Sequence, residues 1–212
     1  MRLKAFALLA GLTLAAGLSA VAPAEAQRAP YGAERYAEPG SSSGRNVPGK
    51  FEYYALVLSW SPTHCAEVTD HRDDMQCARR DGRRYAFVLH GLWPQYENGF
   101  PESCPMRTRN YVPRPVIDDM LDIMPAPGLV IHEYKKHGTC SGLDAKNYFA
   151  LARKLHGSIK MPQILVNPFE AQQLTPDEIE RAFIAANPDL KHDMIAVACS
   201  GGQNARLKEI RI

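Results

Sequence analysis

Four segments of the chain carry the apolar, β-branched and aromatic pattern that predicts β-strands. They are Phe51–Trp60, Tyr85–Gly91, Met194–Cys199 and Leu207–Ile212. We expect Pro62 to close the first strand and Trp93-Pro94 to close the second. The last two strands would be joined through Gly201-Gly202.

Three further segments have apolar residues at helical spacing. The first is Pro115–Met124, the second is Asn147–His156, and the third ends near Ala186. The third has a strong start signal, because Thr175 is a good N-cap residue and Pro176 and two acids follow it. Strands and helices do not alternate as in a βαβ array, so the pattern predicts an α+β fold.

The N-terminal region divides into two parts that we exclude from the folded domain. Residues 1–26 have a charged start, an apolar middle and an A-x-A ending, which predicts a signal peptide cleaved after Ala26. An uncleaved membrane anchor is the alternative for this segment. Residues 27–50 are rich in Pro, Gly and Ser, which predicts a disordered linker. One globular domain is therefore expected over residues 51–212.

Composition narrows the class of protein. The chain has 212 residues and a net charge of only +2, so a nucleic-acid ligand would be held by a local site and not by a large basic surface. Export would permit disulfides, but the five cysteines are an odd number. From the sequence alone, any four of them could pair in three ways.

The first candidate segment for chemistry reads HGLWP, from His90 to Pro94. A histidine lies at the end of an apolar strand, and Gly91 after it permits another group to approach the backbone closely. Taken alone the segment is weak evidence, because a histidine at a strand end is more often structural than catalytic.

The second candidate segment reads HEYKKHGTC, from His132 to Cys140. On a helix with about 100° per residue, four titratable side chains fall within about 140° of one another. These are His132, Glu133, Lys136 and His137. A solvated charged face is the usual fate of such a run, but two histidines beside an acid and a lysine favour a functional site.

A zinc site is the metal alternative for this segment. The metalloprotease motif H-E-x-x-H places two histidines on one helical face, whereas the spacing here is H-E-x-x-x-H. Lys136 would also bring a cation next to the metal. We therefore expect neither a metal nor a cofactor.

Without a metal, these side chains can move protons and stabilise an oxyanion. A pair of histidines can supply one base and one acid near neutral pH, and a lysine can neutralise charge on a phosphorane-like transition state. RNA carries its own nucleophile, the 2′-OH, next to each phosphate. DNA lacks that group and would not be cleaved.

At these residues the chain resembles the ribonuclease T2 family. That family has two signature blocks in this order, HGLWP and HEWxKHGTC, and both are present, the second with Tyr134 in place of Trp. The likeness extends to the first strand and its WxPxxC ending and to the last two strands, so it covers roughly residues 51–212. The resemblance implies a T2-like fold, a central antiparallel sheet with several helices packed around it.

The resemblance also implies the roles of individual residues. His137 would be the general base on the 2′-OH and His90 the general acid for the 5′-oxygen, and the two would exchange roles when the cyclic phosphate is hydrolysed. His132 would bind the phosphate, while Glu133 and Lys136 would polarise it and stabilise the pentacovalent state. The products would be a 2′,3′-cyclic phosphate and then a 3′-phosphate.

Base recognition is open at this stage. Trp93 either packs under the site or, as the resemblance suggests, stacks on a base. Gln95 stands where many members carry an acid or amide, and it either bonds a base edge or lies in a solvent-facing turn. Ser59 stands where many members carry a base-contacting Gln, which leaves base preference undetermined.

For the cysteines, the resemblance implies the pairs Cys65–Cys77 and Cys104–Cys140. Cys199 usually has a partner just after the final strand, and we hypothesise that the sequence is truncated before it. Together these features predict a secreted or periplasmic monomer that acts on single-stranded RNA, with no membrane contact once the signal peptide is removed. A metallohydrolase and a catalytically inactive RNA-binding module are the alternatives from other classes.

Overall fold

The computed structural model describes most of the chain after residue 45. The described ranges are 46–68, 75–77, 82, 84–106, 110–202 and 205–212. The predicted signal peptide and residues 27–45 of the predicted linker lie outside them. Residues 46–50, which we assigned to the linker, contact the domain: the Gly49 N–H donates to the Cys140 carbonyl oxygen at 2.9 Å.

The described part is an α+β fold, as predicted, and it has the four expected strands and five α-helices. The helix α1 was not predicted. In chain order the elements are β1 Tyr53–Trp60, α1 Ser61–Glu67, β2 Phe87–Gln95, α2 Arg114–Met120, α3 Pro127–Lys136, α4 Ala145–Ser158, α5 Pro176–Ala186, β3 Ala196–Cys199 and β4 Leu207–Arg211. Short 3-10 turns occur at Gly138–Ser141, Gln163–Leu165 and His192–Met194. The start of α5 is confirmed in detail, since Thr175 and Glu178 form a reciprocal capping box.

Proline accounts for two differences from the expected boundaries. Pro62 does not merely follow β1: it is the second residue of α1 and lies in the first helical turn, where no N–H partner is needed. Pro94 does not close β2, which continues to Gln95. The strand order β2-β1-β4-β3 makes β2 an edge strand, and an edge strand tolerates a residue without an N–H donor.

All the sheet pairings are antiparallel, with β1 between β2 and β4 and with β4 between β1 and β3. Alternate residues of β1 point to opposite faces of the sheet. Leu56 and Leu58 belong to the main hydrophobic core. The helices supply the rest of that core, which includes Val130, Tyr134, Tyr148, Phe149, Ile179 and Phe183. Ala55 and Val57 therefore point to the opposite face, where small side chains leave room above the sheet.

Two disulfides are present, Cys65–Cys77 and Cys104–Cys140, which confirms both predicted pairs. Cys199 has a free thiol and is exposed. None of the described helices combines the length and the hydropathy required of a membrane-crossing segment.

Candidate active site

A β-bulge in β2 places His90. Gly91 pairs with Val57 and Leu89 pairs with Leu58, so His90 is an extra residue with no partner on β1. A regular strand would put side chains three residues apart on opposite faces. The extra residue keeps both Leu89 and Leu92 in the core and leaves the His90 side chain 30% exposed on the other face. A hydrogen bond from the buried Tyr148 hydroxyl to the Leu92 carbonyl oxygen (2.8 Å) anchors this part of the strand.

Trp93 contacts both of the predicted catalytic histidines. Its ring lies edge-on to the His90 ring, with centroids 5.3 Å apart. It stacks on the His137 ring, with centroids 4.7 Å apart and planes inclined by 20°. The guanidinium carbon of Arg211 lies 5.2 Å from the Trp93 centroid. The structure thus brings the two signature blocks together around one indole.

Glu133 joins the two blocks by a hydrogen bond. The indole Nε1 of Trp93 donates to Glu133 Oε2 at 2.7 Å, and Glu133 Oε1 lies 3.6 Å from His90 Nε2. Glu133 is only 1% exposed, and this burial raises its pKa, although His90, Trp93 and Lys136 oppose the rise. Gly91 leaves room for this arrangement, because a Cβ there would lie 2.2 Å from Glu133 Oε2 and 2.4 Å from Trp93 Nε1.

His137 ends α3 and is buried. Its backbone N–H donates to the Glu133 carbonyl oxygen at 2.9 Å, and the residue is 3% exposed. Burial, together with the charges of Lys136, His90 and His132, lowers its pKa from 6.5 to about 3. Nδ1 of His137 has no hydrogen-bond partner among the described residues. The imidazole is therefore neutral over most of the pH range in which proteins are folded.

His90 is surrounded by the opposite sign of charge. Burial lowers its pKa, but the hydrogen bond to Glu209 and the charges of Glu133 and Glu209 outweigh burial and raise the pKa above the ordinary value. The His90 Nδ1 atom lies 2.6 Å from Glu209 Oε1. Because an ionised carboxylate only accepts hydrogen bonds, Nδ1 carries the hydrogen and Nε2 faces Glu133.

The remaining predicted site residues lie on the same helix as Glu133. Lys136 is part-exposed and forms an ion pair with Glu102 at 4.0 Å. The Lys136 carbonyl oxygen accepts a hydrogen bond from the Ser103 N–H at 2.7 Å. Since Cys104 is bonded to Cys140, the loop and the end of α3 are held together covalently. His132 is exposed, and it is close enough to His137 for its charge to influence the pKa of that ring.

Gln95 is placed differently from the other predicted residues. It is 6% exposed, and its side-chain amide nitrogen donates to the Pro94 carbonyl oxygen at 3.0 Å. The alternative of a solvent-facing turn residue is therefore wrong, and a base contact stays a prediction. Tyr134, which replaces the family's Trp, is buried in the core, and its hydroxyl donates to the Leu143 carbonyl oxygen at 3.1 Å.

Two residues of the site were missed in the sequence, Glu209 and Arg211. Glu209 bonds His90, and Arg211 donates to Glu209 Oε2 through Nη2 at 3.1 Å. They are two apart on β4 and so share a face, but alternating charges on a strand usually indicate an exposed face. The available signal was that these opposite charges lie in a strand whose other residues include Leu207 and Ile210. Among the described residues, no three His, Cys, Asp or Glu side chains are grouped to hold a metal ion.

Comparison with protein families gives a match over the whole folded domain. The model of the Ribonuclease T2 family matches residues 51–212. A protein named "Ribonuclease" from Aeromonas hydrophila is 47% identical over 107 residues, which cover 50% of this chain and 46% of that relative. A "Probable ribonuclease" from Haemophilus influenzae is 30% identical over 161 residues, 70% of this chain and 55% of the relative. The aligned chain thus spans about half the length of these curated relatives.

Solved structures agree on the fold. The crystal structure of RNase NT in complex with 5′-AMP superimposes with a TM-score of 0.56 and 22% sequence identity. The superposition covers 76% of this chain and 84% of that one. A self-incompatibility-associated SF11-RNase from Nicotiana alata gives a TM-score of 0.59 at 21% identity, over 77% and 86% of the two chains. At this level of identity the likeness establishes the fold, which is the T2-like fold expected from the sequence.

Proposed function

The chain belongs to the ribonuclease T2 family, whose model matches residues 51–212, and from this premise we propose that it is an endoribonuclease acting on single-stranded RNA. It cleaves by transphosphorylation through a 2′,3′-cyclic phosphate to 3′-phosphate ends. Two histidines, His90 and His137, carry the proton transfers, and no metal takes part. The names of the relatives and the 5′-AMP bound to RNase NT are consistent with a nucleotide substrate.

The observation that carries this proposal is that His90 and His137 both contact the indole of Trp93, yet their pKa values are shifted in opposite directions. The pKa of His137 is lowered to about 3, whereas that of His90 is raised above its ordinary value. Between these pKa values His137 is neutral and His90 is protonated. The pair is then in the protonation state that one base and one acid require.

The first step uses the pair in that state. Neutral His137 takes the proton of the 2′-OH, and the 2′-oxygen attacks the adjacent phosphorus. As the bond from phosphorus to the 5′-oxygen breaks, protonated His90 gives its proton to that oxygen. In the second step water attacks the cyclic phosphate, with His90 as the base and His137 as the acid, which yields the 3′-phosphate.

The phosphate is held by side chains of α3. Lys136 and His132 are four residues apart and so lie one above the other on the helix surface, where Lys136 supplies positive charge and His132 a hydrogen-bond donor to the non-bridging oxygens. Glu133 orients the site through its hydrogen bond to Trp93 and its position 3.6 Å from His90 Nε2. One face of Trp93 is occupied by His137, which favours a role in aligning the histidines over one in stacking on a base.

The two disulfides support a location outside the reducing cytoplasm, because such bonds persist in oxidising compartments. We place the mature protein in the periplasm or the medium, after removal of the predicted signal peptide. It is proposed to act there as a monomer on RNA and not on DNA.

Digestion of RNA in EDTA tests the proposal directly. Wild-type protein is incubated with an oligoribonucleotide and with the same sequence carrying a single 2′-deoxy sugar, and the ends are identified by mass spectrometry. We expect cyclic-phosphate ends, followed by 3′-phosphates, and no cleavage at the 2′-deoxy position. His90→Ala and His137→Ala should each lose about 10²–10⁴-fold in kcat.

The matched control is His192→Ala, which removes an exposed histidine far from the cluster in the fold. It should cleave at the wild-type rate. Loss of wild-type activity in EDTA would show that a metal takes part, and intact RNA after incubation with the wild-type protein would refute the proposed activity itself.

A further inference from the structure

Glu209 reaches His90 across the sheet. Glu209 lies on β4 and His90 on β2, 119 residues apart in sequence, and β1 runs between the two strands. On this face β1 presents Val57, which pairs with Gly91 on one side and with Arg211 on the other. Because that intervening side chain is short and fully buried, the carboxylate can pass over it to the imidazole.

The carboxylate of Glu209 is held at both oxygens. Oε1 accepts from His90 Nδ1 at 2.6 Å, and Oε2 accepts from Arg211 Nη2 at 3.1 Å and Nε at 3.3 Å. The Glu209 side chain is 16% exposed. Such shielding from solvent strengthens a charge-assisted hydrogen bond, and two fixed partners leave the carboxylate little rotational freedom.

We propose that Glu209 is a positioning residue for the proposed reaction: it holds the His90 ring so that Nε2 points to the leaving 5′-oxygen, and it stabilises the imidazolium form of that ring. The inference rests on the proposed function for its consequence, but the contact between carboxylate and imidazole is independent of any substrate. It goes beyond the two signature blocks, since β4 contributes to neither of them.

Other charged groups around His90 determine how much of the effect belongs to Glu209. Glu133 from α3 lies at Nε2 and also favours the imidazolium, while Arg211 on β4 opposes it by like charge. His137 is neutral where His90 is protonated and adds no charge of its own. Glu133 is itself shared with Trp93, whereas Glu209 makes the shorter contact to His90. The pKa of Glu209 is lowered by His90 and Arg211 despite its burial, so the carboxylate is ionised when His90 needs it.

The two half-reactions should respond to Glu209 in opposite directions. RNA cleavage requires protonated His90, which gives its proton to the 5′-oxygen. Hydrolysis of the cyclic phosphate requires neutral His90, which takes a proton from water. A carboxylate that stabilises the imidazolium therefore favours cleavage over hydrolysis, so the ratio of cleavage to hydrolysis should be higher in the wild-type protein than in a variant without this carboxylate.

The experiment compares Glu209→Gln with wild type in both half-reactions. Substrates are a set of dinucleoside 3′,5′-phosphates and the corresponding nucleoside 2′,3′-cyclic phosphates, each followed from pH 4 to pH 9. NMR titration of the His90 ring is recorded without substrate. We expect the pKa of His90 to fall by about one unit, because one of its two nearby carboxylates loses its charge. The alkaline limb of the pH profile for RNA cleavage should move to lower pH by a similar amount, with little change in KM.

The ratio of cyclic-phosphate hydrolysis to cleavage should rise several-fold in Glu209→Gln, since one pKa unit changes the ratio of neutral to protonated His90 by about tenfold. Glu209→Asp keeps a carboxylate and should therefore restore part of the rise in the pKa of His90. The matched control is Glu67→Gln, which makes the same chemical change in another ion pair. Glu67 lies at the end of α1, and its exposed partner Lys208 lies on β4 beside Glu209. It should leave both half-reactions and the His90 titration as in wild type.

Equal losses in both half-reactions, with the His90 titration and the alkaline limb unmoved, would overturn the inference and leave Glu209 a purely structural role. Thermal melting of each variant shows whether the sheet stays folded. If the wild-type protein cleaved no RNA, the proposed function would fail, yet the titration of His90 in Glu209→Gln would still decide whether the carboxylate controls that ring.

Discussion

His137 is an ionisable side chain in a place that disfavours its charged form. It is stacked on Trp93, lies near Phe100, and is flanked by the positive charge of Lys136. A proton on this ring would be buried without a carboxylate to receive it. The same surroundings that keep the ring neutral, and so able to accept the proton of the 2′-OH, therefore make it a weak point of the fold in acid.

This leads to a prediction for stability against pH. The folded pKa of His137 is about 3 and lies below the 6.5 of a solvated histidine, so the unfolded chain binds the extra proton between these values. Its contribution to stability is complete above pH 6.5 and is lost as the pH falls toward 3. The slope for one proton is about 1.4 kcal/mol per pH unit.

His137→Phe keeps an aromatic ring against Trp93 and cannot titrate. Urea unfolding at pH 7 and pH 4 should show that this variant loses about 3 kcal/mol less than wild type over that interval. His192→Phe alters an exposed histidine and serves as the control. If wild type and His137→Phe lost stability in parallel, the ring would not be buried in its neutral form.

At the scale of elements, the bulge in β2 creates the geometry of the site. One extra residue lets Leu89 and Leu92 both face the core. The side chains of His90 and Trp93 then both lie on the opposite face, where their rings contact each other. Gly91 lies between them with no side chain, and Glu133 occupies the space that a side chain would need. The strand, its bulge and α3 therefore act as one unit.

Gly91→Ala tests this unit. The added Cβ would lie 2.2 Å from Glu133 Oε2, so either Glu133 or Trp93 must move and their hydrogen bond is broken. We expect a loss of about 1–3 kcal/mol in the free energy of unfolding. We also expect at least a tenfold fall in kcat, because both rings of the proposed acid–base pair rest on Trp93.

Gly157→Ala is the matched control. It places the same methyl group on α4, where no atom lies within 4 Å of the new Cβ. Its stability should stay within about 1 kcal/mol of wild type, and its activity should not change. Wild-type activity in Gly91→Ala would contradict the proposed dependence on the contact between Trp93 and Glu133.

The helices α4 and α5 were predicted from the sequence because their signals lie in neighbouring residues. The capping box at Thr175 and the apolar periodicity of α4 depend on neighbouring residues, so both helices were expected. The extent of β2 was not, because whether Pro94 ends a strand depends on its being at the sheet edge. The bulge at His90 depends on the register against β1, which no single stretch of sequence contains.

The residues of the candidate site likewise divide into those with a local signal in the sequence and those without one. His90, Glu133 and His137 lie in contiguous motifs whose residue types suggest acid–base chemistry. Glu209 lies in no motif, and its role depends on β4 pairing with β1 and on a small residue at Val57. Long-range pairing of this kind is a property of the folded sheet, which explains why this residue was found only in the structure.

At the scale of the whole molecule, the two disulfides close loops of different length. Cys104–Cys140 spans 36 residues and joins the loop of Glu102 to the end of α3, whereas Cys65–Cys77 spans 12. A longer closed loop removes more conformational entropy from the unfolded chain. This predicts a stabilisation of about 4 kcal/mol for the first disulfide and about 3 kcal/mol for the second.

Paired alanine substitutions separate stability from activity. Cys104→Ala with Cys140→Ala should lower both the free energy of unfolding and kcat, because the Ser103 N–H bond to Lys136 loses its covalent support. Cys65→Ala with Cys77→Ala should lower stability and leave kcat unchanged under conditions where the variant is folded. Unfolding in urea and single-turnover cleavage measure the two effects, and equal effects on kcat would refute the distinction.

The distance along the chain between His90 and Glu209 has a consequence for biosynthesis. His90 leaves the ribosome, itself largely RNA, long before Glu209, which lies 119 positions further along the chain, has been made. An emerging chain holds separated pieces of the proposed nuclease and no assembled one. The contact between His90 and Glu209 can therefore form only after β4 has been synthesised, and an incomplete chain lacks the carboxylate that we propose positions the acid.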